Sequence, residues 1–160
     1  HRDLHSFPTR RSSDLKLSPE FKEFLNLLNQ NNVEYLIIGG YAVGYHGYPR
    51  YTGDIDIFIG IEDKNIENVL YALKEFGFDV LCLSENLFSK KGNIVRMGFQ
   101  PNRIKILNKI SGVGFNEAYD SKNTVFIDGI KVDLISLENL KINKKSSGRH
   151  KDLDDLEHLP

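Results

Sequence analysis

Gly39-Gly40-Tyr41-Ala42-Val43, followed by Thr52-Gly53-Asp54-Ile55-Asp56-Ile57, is the stretch on which the fold turns. Ahead of it, Tyr35 to Ile38 is a short apolar run of the length and composition of a buried strand. The glycine pair turns the chain into a short helix that the pattern carries to about His46. Residues 47–53, rich in Gly, Pro and Tyr, read as a loop, and Asp54 to Ile59 as a second strand. Alternate residues of a strand share a face, so Asp54 and Asp56 project together while Ile55 and Ile57 point the other way.

Working outward, Ser18-Pro19-Glu20 is a helix start: an N-cap, a proline in the first turn and an acid near the positive end. Phe21, Phe24, Leu25 and Leu28 follow at helical spacing, and Asn29 to Asn32 ends the helix. Glu62 to Phe76 repeats the pattern with Ile66, Val69, Leu70 and Leu73, and Gly77 stops it. Strands are predicted at Phe78 to Leu83, Ile94 to Phe99 and Arg103 to Leu107, with a turn or short helix over Glu85 to Lys91. Val113 to Tyr119 reads as irregular or a helical turn. Asp128-Gly129 between Val125-Phe126-Ile127 and Ile130 to Ile135 predicts a hairpin with a type I′ turn. Ser136 caps a helix to about Lys145, Ser146-Ser147-Gly148 breaks it, and Arg149 to Leu159 forms a last helix. Strands interleaved with helices predict an α/β (α+β) domain, a mixed sheet flanked by helices.

The chain has 160 residues, enough for one domain with a sizeable core. A net charge of −1 argues against bulk electrostatic capture of duplex nucleic acid and leaves room for a local basic site. The single cysteine, Cys82, excludes an internal disulfide framework and suits a reducing cytoplasm; as a small hydrophobe it reads as core. No apolar run is long enough for a membrane span. His1 to Leu15 (HRDLHSFPTRRSSDL) has neither apolar period nor cap, and resembles the translation of a sequencing adapter. It is set aside as a non-native, disordered segment, with the domain occupying residues 16–160.

Unpaired N–H groups at a helix start favour an anion, and Gly39 and Gly40 let a phosphate approach the main chain. Mg2+ takes hard oxygen ligands and leaves positions for water and phosphate oxygens, so Asp54 and Asp56 are candidates both as metal ligands and as catalytic residues. Each feature alone has a plain alternative, a turn and a solvated strand edge; together they suit Mg2+ and a nucleoside triphosphate.

Gly39-Gly40-Tyr41-Ala42-Val43, His46-Gly47 and Arg50-Tyr51-Thr52-Gly53-Asp54-Ile55-Asp56-Ile57 resemble the nucleotidyltransferase superfamily of polymerase-beta-like fold. The nearest likeness is to small bacterial members, the minimal nucleotidyltransferases and toxin–antitoxin-associated relatives. It continues through Ile110-Ser111-Gly112-Val113, Val132-Asp133-Leu134-Ile135-Ser136-Leu137 and the stretch from Asn143 to Leu156. The resemblance implies that Gly39 and Gly40 contact the triphosphate and that Asp54 and Asp56 ligate Mg2+. It adds Lys144, Arg149 and Lys151 as phosphate or active-site contacts, where charge alone reads as a solvated, self-neutralising helix with Asp152, Asp154 and Asp155 orienting the bases. Arg50 and Thr52, just ahead of the acids, join the nucleotide-binding set; Arg50 either reaches a phosphate, braces Asp54 or forms a loop salt bridge. His46 reads as structural. Tyr41, Tyr45, Tyr48 and Tyr51 cluster near the site, mostly as packing.

The superfamily supplies a third carboxylate from a neighbouring strand. The position where it is expected holds Lys105, which strand alternation puts on the same side as Arg103 and Leu107. An ammonium there cannot bind a metal and would pair with Asp54 or Asp56 instead. Asp133 is the alternative third acid. The expected activity is transfer of a nucleoside monophosphate to an acceptor hydroxyl on a small molecule, a protein or an RNA end. The competing expectation is a non-catalytic nucleotide-binding member of a toxin–antitoxin pair; a weaker one is a docking domain using the charged C-terminal helix.

Overall fold

The computed structural model describes residues 15–78, 92 and 94–160. The predicted strand over Phe78–Leu83, apart from Phe78, the turn over Glu85–Lys91, Cys82 and residues 1–14 lie outside the described residues. Leu15, the last residue of the segment set aside, packs against Gly44.

Helix α1 (Pro19–Gln30) starts where Ser18 Oγ accepts the Phe21 amide, 3.2 Å away. Strand β1 (Tyr35–Ile38) runs into α2 (Gly39–Tyr45), and β2 spans Asp54–Ile59. Helix α3 (Asp63–Phe76) ends on Gly77, whose φ of 99° is the left-handed cap conformation. Next come β3 (Ile94–Met97), β4 (Arg103–Leu107) and α4 (Phe115–Asp120), then the hairpin β5 (Asn123–Ile127) and β6 (Ile130–Leu134). Asp128 (φ 50°) and Gly129 (φ 83°) give that hairpin its two positive-φ residues, as a type I′ turn requires. Helices α5 (Leu137–Ser147) and α6 (His150–His158) close the chain.

Two boundaries differ from expectation. Strand β3 stops at Met97 because Gly98 takes φ +77° and leaves the ladder. Helix α5 runs through Ser146 and Ser147, so Gly148 alone breaks it, again at positive φ. The region read as irregular or a helical turn over Val113–Tyr119 holds the short helix α4, which runs on to Asp120.

The six strands form one mixed sheet in the order β3-β4-β2-β1-β6-β5. The β1–β2 pair is antiparallel, β2–β4 parallel and β3–β4 antiparallel, with β6 parallel to β1 on its other side. Ile55, Ile57, Ile59, Ile104 and Ile106 form a buried layer on one face. Helix α1 covers that face, where the Tyr35 hydroxyl reaches Asn29, and α3 packs on α1 through Phe24 and Phe76. Phe58 lies on the other face against Phe115 of α4. Asp54 and Asp56 share that second face, at the end of β2 that α4 leaves uncovered. Among the described residues, no helix is long and apolar enough to cross a membrane.

Candidate functional site

The register of β2 and β4 sets the chemistry of the cleft. Asp54 stands beside Arg103 and Asp56 beside Lys105, and parallel neighbours put their side chains on one face. Arg103 forks onto Asp54, Nε donating to Oδ1 at 2.8 Å and Nη2 to Oδ2 at 3.0 Å. Gln100 adds a longer contact to Oδ1 at 3.4 Å. The Lys105 ammonium sits 3.9 Å from Asp54 Oδ2 and 3.7 Å from Asp56 Oδ1. Strand β3 continues the row, with Arg96 opposite Lys105.

The two carboxylates live in different environments. Hydrogen bonds from Arg103 hold Asp54 below the usual carboxylate range, against the opposing effect of burial. Burial pushes Asp56 above that range; Lys105 works against the rise and Asp54 adds to it. Asp56 Oδ1 is buried and accepts no hydrogen bond from any described residue. Gly39, at φ +68°, lies against the other oxygen so closely that a Cβ there would collide with Asp56 Oδ2. A side chain at residue 39 would close the cleft that glycine leaves open.

That cleft has a volume of about 380 Å³. Its charged lining is Arg96, Lys105, Lys109, Lys144 and Arg149 against Asp56 and Asp152, a surplus of positive charge facing the unsatisfied carboxylate oxygen. The donors that would hold one hard cation shared with phosphate oxygens are Asp56, whose buried Oδ1 accepts no hydrogen bond from any described residue, and Asp54, which lies outside the cleft lining and is engaged by cations. Among the described residues no group of three or more His, Cys, Asp or Glu side chains is placed to hold a metal ion. Asp133, the alternative third acid, is elsewhere: on β6 it accepts the Thr124 hydroxyl at 2.7 Å, and β1 separates its strand from β2.

Residues 18–160 match the family described as "Nucleotidyl transferase of unknown function (DUF2204)". The chain belongs to this nucleotidyl transferase family. No curated protein matches it in sequence. The family agrees with the resemblance carried by the glycine turn and the Asp54–Asp56 strand.

The residues expected to bind nucleotide divide among three places. Gly39, Lys144 and Arg149 line the Asp56 cleft. Gly40, Arg50 and Thr52 line a separate hollow of about 370 Å³ with Tyr41 and Pro49. Gly40 is there because its bare Cα seats Thr52, whose Cβ would lie 2.8 Å from a Cβ at residue 40. Thr52 Oγ1 donates to the Asp54 carbonyl at 3.1 Å, shaping the entry to β2. Arg50 reaches neither Asp54 nor the cleft: it forks onto Asp155 at 2.7 and 2.8 Å, so of its three expected roles the structure has the salt bridge. Lys151 is exposed and lines neither cavity, although its charge reaches Asp56.

The C-terminal block is self-neutralising, and its central pairs are buried rather than solvated. Asp152 and Asp155 are 1% and 0% exposed and Lys144 is 5% exposed. Lys144 pairs with both acids, at 3.1 and 2.9 Å. Asp152 also accepts Ser147 Oγ at 2.7 Å and Arg149 Nε at 2.8 Å. The reading of α6 as a solvated charged helix is therefore corrected: three-residue spacing puts both acids on one helix face, and that face is turned inward onto α5 and Arg50. His46 is structural, its ring nitrogen 2.8 Å from the Ile135 carbonyl oxygen. Three of the four tyrosines pack, Tyr41 on Phe21, Tyr45 on His46 and Tyr48 on His158, while Tyr51 is exposed.

Three contributors went unassigned in the sequence. Arg96, Lys109 and Gln100 join the site only through the β3–β4 register and the loop between those strands. Alternation on β3 pairs Arg96 with Ile94 on one face, but nothing local says which face meets Lys105.

Proposed function

We propose that this protein transfers a nucleoside monophosphate from a nucleoside triphosphate, with Mg2+, to an acceptor hydroxyl. The observation that carries the proposal is the Asp56 carboxylate, buried beside Gly39 with one oxygen lacking a hydrogen bond, at the wall of a cleft rich in cations. Asp54 and Asp56 are the residues that would hold the ion. When bound, it would neutralise phosphate charge and polarise the α-phosphorus for attack. Arg96, Lys109 and Arg149 are placed to bind phosphate oxygens, Arg149 with its Nε anchored on Asp152. Lys144 is committed to Asp152 and Asp155, and its part is to hold α6 in place. The acceptor hydroxyl oxygen bonds to the α-phosphorus and gives its proton to water, the bond from that phosphorus to the bridging oxygen of the β-phosphate breaks, and pyrophosphate leaves.

A second reading is favoured by Lys105, an ammonium between the two carboxylates where the resemblance implies an acid. On that reading the chain binds nucleotide without turnover, as the regulatory half of a protein pair.

One experiment separates them. The protein is incubated with each α-labelled nucleoside triphosphate, Mg2+ and candidate small-molecule, protein and RNA acceptors. Label transferred by the wild type and lost in Asp56→Ala supports transfer. Nucleotide binding without turnover, with turnover gained in Lys105→Asp, supports the regulatory reading. Absence of nucleotide binding defeats both.

A further inference from the structure

We propose that Arg103 and Lys105 form a latch on the two carboxylates in the free protein, so that a divalent ion is admitted only together with a polyphosphate that draws Lys105 away. The inference rests on the nucleotide-binding reading and adds an order of assembly to it. Both oxygens of Asp54 are taken by the Arg103 guanidinium. Lys105 stands between Asp54 and Asp56 without closing a hydrogen bond to either, at 3.9 and 3.7 Å. It is a cation held in the gap by charge rather than by directional bonds. The strand register puts each acid beside its cation, so the latch is built into the sheet and not into a loop.

A metal ion arriving alone meets two fixed positive charges and a carboxylate with no oxygen to spare. A polyphosphate meets the opposite. Arg96 lies next to Lys105 across β3, is exposed, and makes no ion pair with a described residue. Lys109 and Arg149 line the same cleft. Phosphate oxygens there give Lys105, which lines the cleft on a flexible stem, a competing anion, while Arg103 and Asp54 lie outside the cleft lining. Asp56, released from Lys105 in this way, becomes available as a ligand. Coupling of this kind is reciprocal: the nucleotide tightens the metal by the factor by which the metal tightens the nucleotide.

The test uses the whole chain in two arms, with Lys105→Met and Lys105→Gln checked by thermal melting for a wild-type fold. In the first arm, Mn2+ alone is titrated by electron paramagnetic resonance. Wild type should bind weakly, and both variants roughly tenfold tighter or better, a gain abolished by adding Asp56→Asn. In the second arm, the four nucleoside triphosphates are titrated by calorimetry in EDTA. At least one should bind the wild type without metal, and about fivefold or more weakly in Lys105→Met. Unchanged Mn2+ affinity in both folded variants, with nucleotide still bound by the wild type, overturns the latch and leaves the transfer reading standing. Failure of every form to bind any nucleotide, with or without metal, overturns that reading and the ordered assembly with it.

Discussion

Burial lifts the Asp56 carboxyl above the ordinary carboxylate range, and the ammonium of Lys105 only partly offsets it. A folded-state pKa above the unfolded one means that the group's contribution to stability falls as pH rises through the folded value. Ionised Asp56 therefore weakens the fold at neutral pH, which is a cost proteins accept at functional sites. Asp56→Asn is expected to raise the melting temperature at pH 7 by about 2–4 °C, the shift that accompanies about 1 kcal/mol in a domain of this size. The gain should vanish near pH 3, where the aspartate is protonated in both states; calorimetry at the two pH values checks both halves. The same variant should lose nucleotidyl transfer. Gly39→Ala should act in the opposite direction. Its φ of +68° and the contact with Asp56 leave no room for a methyl group, so a loss of about 1–3 kcal/mol is expected in urea denaturation.

Two short helices and a loop are held together by buried charge. Arg50 from the loop before β2, Lys144 from α5, and Asp152 and Asp155 from α6 form a continuous ionic network with few alternatives for any member. Removing one partner of a buried pair strands the others, at about 3–5 kcal/mol. Asp155→Ala should cost that much in urea denaturation and loosen α6, seen as faster amide exchange across residues 150–158. Lys64→Ala, which breaks an exposed pair with Glu67 at 3.0 Å, should leave the urea midpoint nearly unchanged. The contrast separates ion pairs that shape the cleft wall from those that decorate a helix.

The molecule as a whole should lose stability in acid in two phases. Burial lowers the His46 pKa below its ordinary 6.5, with the contact to the Ile135 carbonyl opposing the change. A base with a depressed folded pKa loses stability as pH falls from its unfolded value toward the folded one, so a shallow decline should begin near pH 6.5. The carboxylates add a steeper one. Burial tends to raise Asp152 and Asp155, but hydrogen bonds from Arg149, Ser147, Arg50 and Lys144 overcome it and hold both below the ordinary 3.8. Arg103 does the same for Asp54. Stability from these groups is complete above pH 3.8 and is lost as pH falls through their folded values. Urea midpoints measured from pH 7.5 to 2.5 should show both phases, and His46→Gln should remove the first.

The amino-acid sequence by itself determined most of the described elements and the pairing of Asp54 with Asp56, because period-two alternation, a glycine turn and an Asp-Gly hairpin act between near neighbours. It also put Lys105 on the same strand face as Arg103, by the same alternation. What only the tertiary structure decided was which charges meet. Arg103 reaches Asp54 across 49 residues and Arg50 reaches Asp155 across 105, and no local pattern distinguishes such a pair from two solvated side chains. The cleft's surplus of cations, the burial of Asp152 and Asp155, and the separation of Asp133 from the site all follow from strand order and register. Those are properties of the packed sheet, set by how its apolar faces are covered rather than by any residue's own preference.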